Sequence, residues 1–335
     1  MSKNKDKKLV VLGTGGTIAG EASVASDNIG YTAAQIGVTQ LVRAIPSLGD
    51  LPCGFACEQV AQVDSKDMSF AVWQKLLLRT VHWLANPHVR GVVITHGTDT
   101  LEETAFFLHR AVPRDLLANK PVVLTCAMRP ATALNADGPQ NIRDAVAVAL
   151  TPGARGVVAV CAGTVHTAVD VEKIHTYRLN AFGSGDAGPL GYVEEGFVRL
   201  LREWPENIDL TNGITAGGQA IRNAETEHCW PRVEIVMNYA GVGALMVDAL
   251  LAHSATGAVE ALRGIVVAGT GNGSLHRDLE AALQRAQAGG VVVRRSTRCA
   301  MGRVIPATNA TIEHSEGLSP VKARIAMMLA LMASD

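Results

Sequence analysis

The chain has 335 residues, is 48% hydrophobic and 18% charged, and carries a formal net charge of −1. That length exceeds what one core comfortably fills, so two domains are expected. The balanced charge leaves no basic footprint for nucleic acid, and no apolar run reaches the roughly 18 residues of a membrane span. A small or zwitterionic ligand is therefore expected rather than a polyanion or a bilayer. The N-terminal "MSKNKDKKLVVLG" is basic, but its apolar run of about five residues is too short for the core of a signal peptide, which fits a cytoplasmic setting.

"KKLVVLG" predicts the first strand and runs into "LGTGGTIAG" at residues 12–20. Gly13, Gly15 and Gly16 loosen this turn and let backbone N–H groups approach a ligand. Thr14 and Thr17 sit inside it, as turn formers or as chemists. A phosphate loop needs a Gly-Lys-Ser/Thr ending that is absent, and the dinucleotide fingerprint needs glycine where Ile18 stands. Cys53 and Cys57 begin like a zinc site, but no second pair or spaced histidine completes it, so no metal is expected.

"EQVAQVD" predicts a second strand ending in "DSKDM", where Ser65 is a candidate cap for the next helix. Phe70, Trp73, Leu77, Val81 and Leu84 recur at helical spacing. "RGVVITHG" predicts a third strand. Thr98, Asp99 and Thr100 then precede "LEETAFFL", with Glu102 three residues after Asp99, which predicts a capping box. His96 reads as a packed, hydrogen-bonded histidine rather than a base. "KPVVLTCA" and "RGVVAVCAG" add two strands, whose Cys126 and Cys161 read as small core residues. An irregular stretch over residues 194–232 contains "TNGITAGG". "VEIVMNYAG", "GIVVAGTGNG" and "GGVVVRRS" then restart the alternation. The last helix is signposted by Ser319 as cap and Pro320 in its first position.

Strand–helix alternation predicts an α/β protein. A large N-terminal domain (1–205), with a mostly parallel sheet in three layers, is followed by a linker (206–232) and a smaller C-terminal α/β domain (233–335). Ligands of open α/β sheets bind outside the carboxyl ends of the strands. Four polar turns end predicted strands here: Thr14 to Thr17, "DSKDM", "HGTDT" and "AMRPAT". Parallel strands would bring all four to one edge. A threonine nucleophile needs a base, a partner that orients the base, and donors for the oxyanion. Asp99 beside Thr98 can orient a lysine, and desolvation helps a lysine lose its proton. Spacing alone neither names that lysine nor chooses between Thr14 and Thr17.

"TGGTIAG" and "GVVITHGTDTLEET", with "AMRPATALNADGPQN", "GPLGY" and "SPVKAR", resemble the bacterial-type L-asparaginase family over residues 9–324. The resemblance implies an amidohydrolase of asparagine catabolism, without metal or cofactor, acting as a homotetramer of paired dimers. It would turn L-asparagine into L-aspartate and ammonia through a threonine acyl-enzyme. Thr17 matches the acylated nucleophile, Tyr31 in "NIGYTAAQ" the tyrosine of a mobile lid, and Thr98, Asp99 and Lys173 a second hydroxyl–acid–lysine set. Ser65 and Asp99 match the holders of the substrate's α-carboxylate and α-ammonium. Gly16 belongs to the same binding loop, and Ala127 contributes its carbonyl. On this reading Thr14 is structural.

Three departures bear on substrate preference. Lys66 stands where many members carry Gln or Glu beside the substrate ammonium, so it is expected to weaken binding of a zwitterionic amide. The loss is expected to be smaller than the bare Coulomb repulsion, because Lys66 can turn toward the carboxylate or pair with an acid such as Asp67 or Asp99. Ser274 replaces an asparagine that in many members reaches a neighbouring subunit's site. Glu313 and Glu316 are both candidates for the acid donated across that seam. The alternatives are a broad-specificity glutaminase-asparaginase and a non-catalytic amino-acid-binding protein.

Overall fold

The computed structural model describes residues 7–49, 51, 53–205, 230–257, 260–308 and 310–334. Contacts divide the chain into two compact units, residues 1–226 and 227–335. Most of the expected linker, and all of "TNGITAGG", lies outside the described residues.

In the first unit the strands are β1 (Lys8–Gly15), β2 (Glu21–Ala22), β3 (Tyr31–Thr32), β4 (Gly54–Val63), β5 (Val89–Thr95), β6 (Val122–Thr125), β7 (Val157–Cys161), β8 (Thr164–Thr167), β9 (Glu172–Lys173), β10 (Phe182–Gly183), β11 (Gly191–Glu194) and β12 (Phe197–Leu200). Its main helices are α1 (Val38–Arg43), α2 (Phe70–Ala85), α3 (Leu101–Ala111), α4 (Arg114–Leu117) and α5 (Gly138–Leu150). Eight strands form one sheet in the order β12-β11-β8-β7-β6-β5-β1-β4. The five from β4 to β7 are parallel, and β8, β11 and β12 extend them antiparallel.

The parallel strands are the five β-branched runs expected from sequence. The four inner ones are largely apolar because helices cover both faces, whereas β4 at the edge carries Glu58, Gln59 and Gln62. One face carries Leu9, Val11, Val93, Val123 and Val158 in a core cluster with residues of α1 and α5. Helices α2 and α3 pack against the sheet as well. The buried stripe of α2 runs through Trp73, Leu76, Leu77, Thr80 and Leu84, whereas Phe70 and Val81 are only half-buried.

The antiparallel extension was not legible in the sequence, and turn geometry explains why. Ala162 and Gly163 between β7 and β8 both have positive φ (48° and 71°), as do Glu195 and Gly196 between β11 and β12 (48° and 81°). Two successive left-handed residues make the tight turn that suits a twisted hairpin, but its usual sequence sign is Asn-Gly or Asp-Gly.

The second unit holds a parallel three-stranded sheet of β13 (Arg232–Met237), β14 (Leu262–Gly269) and β15 (Val292–Thr297). Helices Leu245–Ala255 and Arg277–Ala288 share a core cluster with it, centred on Val247, Ile265, Val267, Leu279 and Leu283. The last helix is Pro320–Ser334, with proline first as expected. The expected cap bond of Ser319 is not made, because its hydroxyl is buried without a hydrogen-bond partner. Ser274 closes a tight turn by pairing with Thr270.

Candidate active site

The four polar turns lie at the carboxyl ends of β1, β4, β5 and β6, and Tyr31 of β3 and Lys173 of β9 are bonded to two of them. Strand β1 ends in two glycines of positive φ, Gly15 (101°) and Gly16 (82°), and a single 3-10 turn, Thr17–Ala19, follows. A Cβ on Gly16 would lie 2.3 Å from the Cα of Gly97, so these two backbones touch. A Cβ on Gly97 would meet the Oγ of Ser65 at 2.4 Å. The turns after β1, β4 and β5 are thus locked edge to edge by the absence of side chains. The residues that follow the two touching glycines are Thr17 and Thr98.

Thr17 is almost fully buried, and its hydroxyl lies 2.7 Å from the hydroxyl of Tyr31 on the β2–β3 hairpin. Gly16 departs from the expectation in one respect. Its N–H donates to the Val63 carbonyl at 2.8 Å, so it is not free for a ligand. The first N–H groups of a helical turn have no partner within it, which directs attention to Thr17 and Ile18 instead. Thr14 is buried and donates its hydroxyl to the Thr95 carbonyl at 3.0 Å, which ties β1 to β5.

The second set is assembled across a long sequence separation. Lys173 on β9 donates through Nζ to Thr98 Oγ1 at 2.8 Å and to Asp99 Oδ1 at 2.6 Å. Its backbone N–H donates to a carboxylate oxygen of Glu102 at 2.5 Å. The predicted capping box is therefore absent. Thr100 occupies the cap position of α3 without a side-chain cap bond and gives its hydroxyl to the Ser65 carbonyl. Asp99 faces Lys173, and Glu102 reaches out to the β9 backbone. The Lys173 ammonium offers Asp99 a stronger partner than a helix N–H does, whereas Glu102 exchanges one backbone N–H for another.

Ser65 is not the cap of α2 either, because Ser69 takes that place. Ser65 Oγ is buried and accepts the Asp99 N–H at 3.1 Å, which leaves its own hydrogen free to donate. The Lys66 ammonium is exposed and bound to Asp67, with Asp64 3.9 Å away. The hydrogen bond to Asp67 holds its pKa above the ordinary lysine value, helped by the charges of Asp67, Asp64 and Asp99.

Two supports beneath the site escaped the sequence reading. Asp137 accepts the N–H groups of Met128 (3.0 Å) and Arg129 (2.9 Å), fixing the turn that follows the buried Ala127. Burial raises the pKa of that carboxyl. Asn141 ties Cys126 O, Asp137 and the Ala162 N–H together. The second support is a relay of Trp73, Thr104 and His96. The Trp73 indole can only donate, so Thr104 Oγ1 accepts at 2.9 Å and gives its own hydrogen to His96 Nε2, also at 2.9 Å. His96 therefore carries its proton on Nδ1 and donates to Gly97 O at 2.7 Å. Full burial drives its pKa down to about 4, so it stays neutral, as expected of a packed histidine. Of these residues the sequence marked only His96 for a polar contact in the core, whereas Asp137, Asn141 and Thr104 stand among other polar residues and carry no sign of their own.

In the second unit, the carboxylate of Glu313 pairs with Arg294 at 2.8 Å, whereas Glu316 lies in a left-handed turn with φ 55°. Among the described residues no group of three or more His, Cys, Asp or Glu side chains could hold a metal ion, and no helix is long and apolar enough to cross a membrane.

Residues 8–206 match the family described as Asparaginase, N-terminal, and residues 232–335 match the Glutaminase/Asparaginase C-terminal domain. The chain is 35% identical to the L-asparaginase 2 of Bacillus subtilis, with 100% of this chain and 85% of that protein covered. It is 34% identical to the glutaminase-asparaginase of Pseudomonas fluorescens biotype A, covering 98% and 88%. Among solved structures, a probable cytoplasmic L-asparaginase from Campylobacter jejuni matches with a TM-score of 0.85 at 35% identity, covering 97% of this chain and 95% of that one.

Proposed function

This chain belongs to the asparaginase family, and from that premise we propose that it hydrolyses L-asparagine to L-aspartate and ammonia through an acyl-enzyme on Thr17. The observation that carries the reading is the abutment of Gly16 and Gly97, which brings the Thr17–Tyr31 pair and the Thr98–Asp99–Lys173 set to one place.

Asparagine brings an α-carboxylate and an α-ammonium as well as the reacting amide. Ser65, with a hydrogen to give, suits the carboxylate, and the Asp99 carboxylate suits the ammonium. Lys173 Nζ, 2.8 Å from Thr98 Oγ1, is placed to exchange a proton with that hydroxyl and so to link it to the reacting centre. Thr17 Oγ attacks the side-chain amide carbon and its proton leaves by way of Tyr31. The C–N bond breaks, ammonia departs protonated by the same relay, and water cleaves the ester to release aspartate. The N–H of Thr17 and the Ala127 carbonyl complete the pocket, as donor to the oxyanion and as acceptor from the departing amide.

A cytoplasmic homotetramer is part of the same proposal. The second unit supports assembly: Leu245 is 82% exposed, Met246 57%, Met237 52% and Tyr239 52%, and helix Leu245–Ala255 buries only Val247. Several large apolar side chains left in solvent within one short stretch of chain support an interface. A two-domain chain of 1–205 and 233–335 joined by 206–232 fits the two family matches.

The test is Thr17→Ala, assayed for ammonia release from L-asparagine and L-glutamine alongside the unmutated enzyme. Turnover is expected to fall by at least about 10³-fold with folding intact, as when a nucleophile is removed from a cooperating set. Near-normal hydrolysis by Thr17→Ala would remove Thr17 from its role. A kcat/KM for glutamine equal to that for asparagine would establish the broader activity instead.

A further inference from the structure

We propose that Glu102 is a positioning residue for the reaction, acting through Lys173. The proposal rests on the reading of Lys173 given above. Lys173 belongs to the β9–β10 ladder, which has only two residue pairs, Lys173 with Phe182 and Glu172 with Gly183. The chain beyond it is exposed at Ile174, Tyr177 and Leu179. So short a ladder is marginal by itself and needs another anchor. The Glu102 carboxylate supplies one by accepting the Lys173 backbone N–H at 2.5 Å.

The origin of that anchor matters. Glu102 lies in the first turn of α3, three residues after Asp99, where the helix N-terminus favours a carboxylate. Thr98 and Asp99 lead directly into the same helix. Glu102 therefore fastens the backbone of Lys173 to the element that presents the two partners of its ammonium, at 2.8 and 2.6 Å. The result is a closed circuit: Thr98 and Asp99, the start of α3, Glu102, the Lys173 backbone, and the Lys173 side chain back to Thr98. Opening it at Glu102 leaves the ammonium on a flexible four-carbon stem whose root is no longer registered to Thr98. A misplacement of about 1 Å at a reacting group costs roughly 10²-fold in rate.

The experiment compares Glu102→Ala, Glu102→Gln and Lys173→Met with the double variant Glu102→Ala/Lys173→Met. Ammonia release and thermal stability are measured for each, with hydrogen–deuterium exchange of the peptide that contains Lys173. Glu102→Ala should lower kcat at least tenfold and raise exchange at that peptide while the rest of the chain exchanges as before. Glu102→Gln keeps an oxygen acceptor at the same reach and should recover kcat to within threefold of the unmutated enzyme. In the Lys173→Met background, Glu102→Ala should cost less than twofold, because its effect runs through that lysine.

The proposal is overturned if Glu102→Ala keeps kcat within twofold, if Glu102→Gln falls as far as Glu102→Ala, or if the losses multiply in the double variant. If the residual activity of Lys173→Met is too low to compare, the exchange result decides, and unchanged exchange at Lys173 overturns the proposal. A fully active Lys173→Met would instead refute the role given to Lys173, whereas the exchange measurement would still report on the anchor.

Discussion

Gly97→Ala probes the contact on which the whole site is built. Gly97 does not have a positive φ, so alanine is conformationally acceptable there and the substitution reports on space alone. The new Cβ would lie 2.4 Å from Ser65 Oγ, 2.7 Å from Ser65 Cβ and 3.1 Å from Gly16 Cα. An ordinary contact is about 3.5–4.0 Å, so Ser65 must retreat by roughly 1 Å. That movement breaks the 3.1 Å bond from the Asp99 N–H to Ser65 Oγ and separates the Ser65 turn from the Gly16 turn. Overpacking of this kind costs about 1–3 kcal/mol, and the lost hydrogen bond adds about 1 kcal/mol. A total near 2–4 kcal/mol should leave a folded protein, since domains are stable by about 5–15 kcal/mol. Catalysis should suffer more, by about 10²-fold in kcat/KM, because the proposed carboxylate holder has shifted about 1 Å. Steady-state ammonia release and urea denaturation measure the two effects. Wild-type kcat/KM in a folded Gly97→Ala protein would show that the turns do not act as one unit.

Acid should destabilise the fold through His96, which is buried, and His109, which is half-buried beside Arg110 and Arg114. His96 and His109 both have pKa values lowered by burial to about 4, below the unfolded value of about 6.5. Between those limits the unfolded chain binds protons that the folded one refuses, so stability falls as pH drops from about 6.5 to about 4 and levels off below. Each should cost about 2 kcal/mol at pH 5 relative to pH 7, measured by urea denaturation at both; equal stability would refute the burial argument. Lys66→Gln should change KM for L-asparagine by less than about twofold, because the lysine is engaged at the surface by Asp67 and such pairs contribute little. A tenfold drop in KM would restore the repulsion expected from sequence. Light scattering should find a tetramer, and a fully active monomer would overturn the assembly.

The five parallel strands and α2 could be read from the chain because apolar period and length report burial, and burial on both faces is what a parallel sheet requires. The convergence of the four polar turns followed from the same logic, since parallel strands put their carboxyl ends on one edge. Local pattern could not decide where a polar side chain spends its hydrogen bonds. Asp99, Glu102 and Ser65 all carry cap-like spacing, and all three are drawn instead to partners distant in sequence: Lys173 for the first two, the Asp99 turn for Ser65. No spacing rule reaches across the 34, 71 and 74 residues that separate Ser65 from Asp99, Glu102 from Lys173 and Asp99 from Lys173. The choice between Thr14 and Thr17 is of the same kind. Both stand in one glycine-rich turn, yet β5 takes the hydroxyl of Thr14 through Thr95, and the β2–β3 hairpin brings Tyr31 to Thr17. Sequence determines which groups are available at an edge, because periodicity and glycine act over a few residues. Tertiary structure alone decides which of them meet, because hydrogen bonds and ion pairs are won by whatever donor the fold delivers.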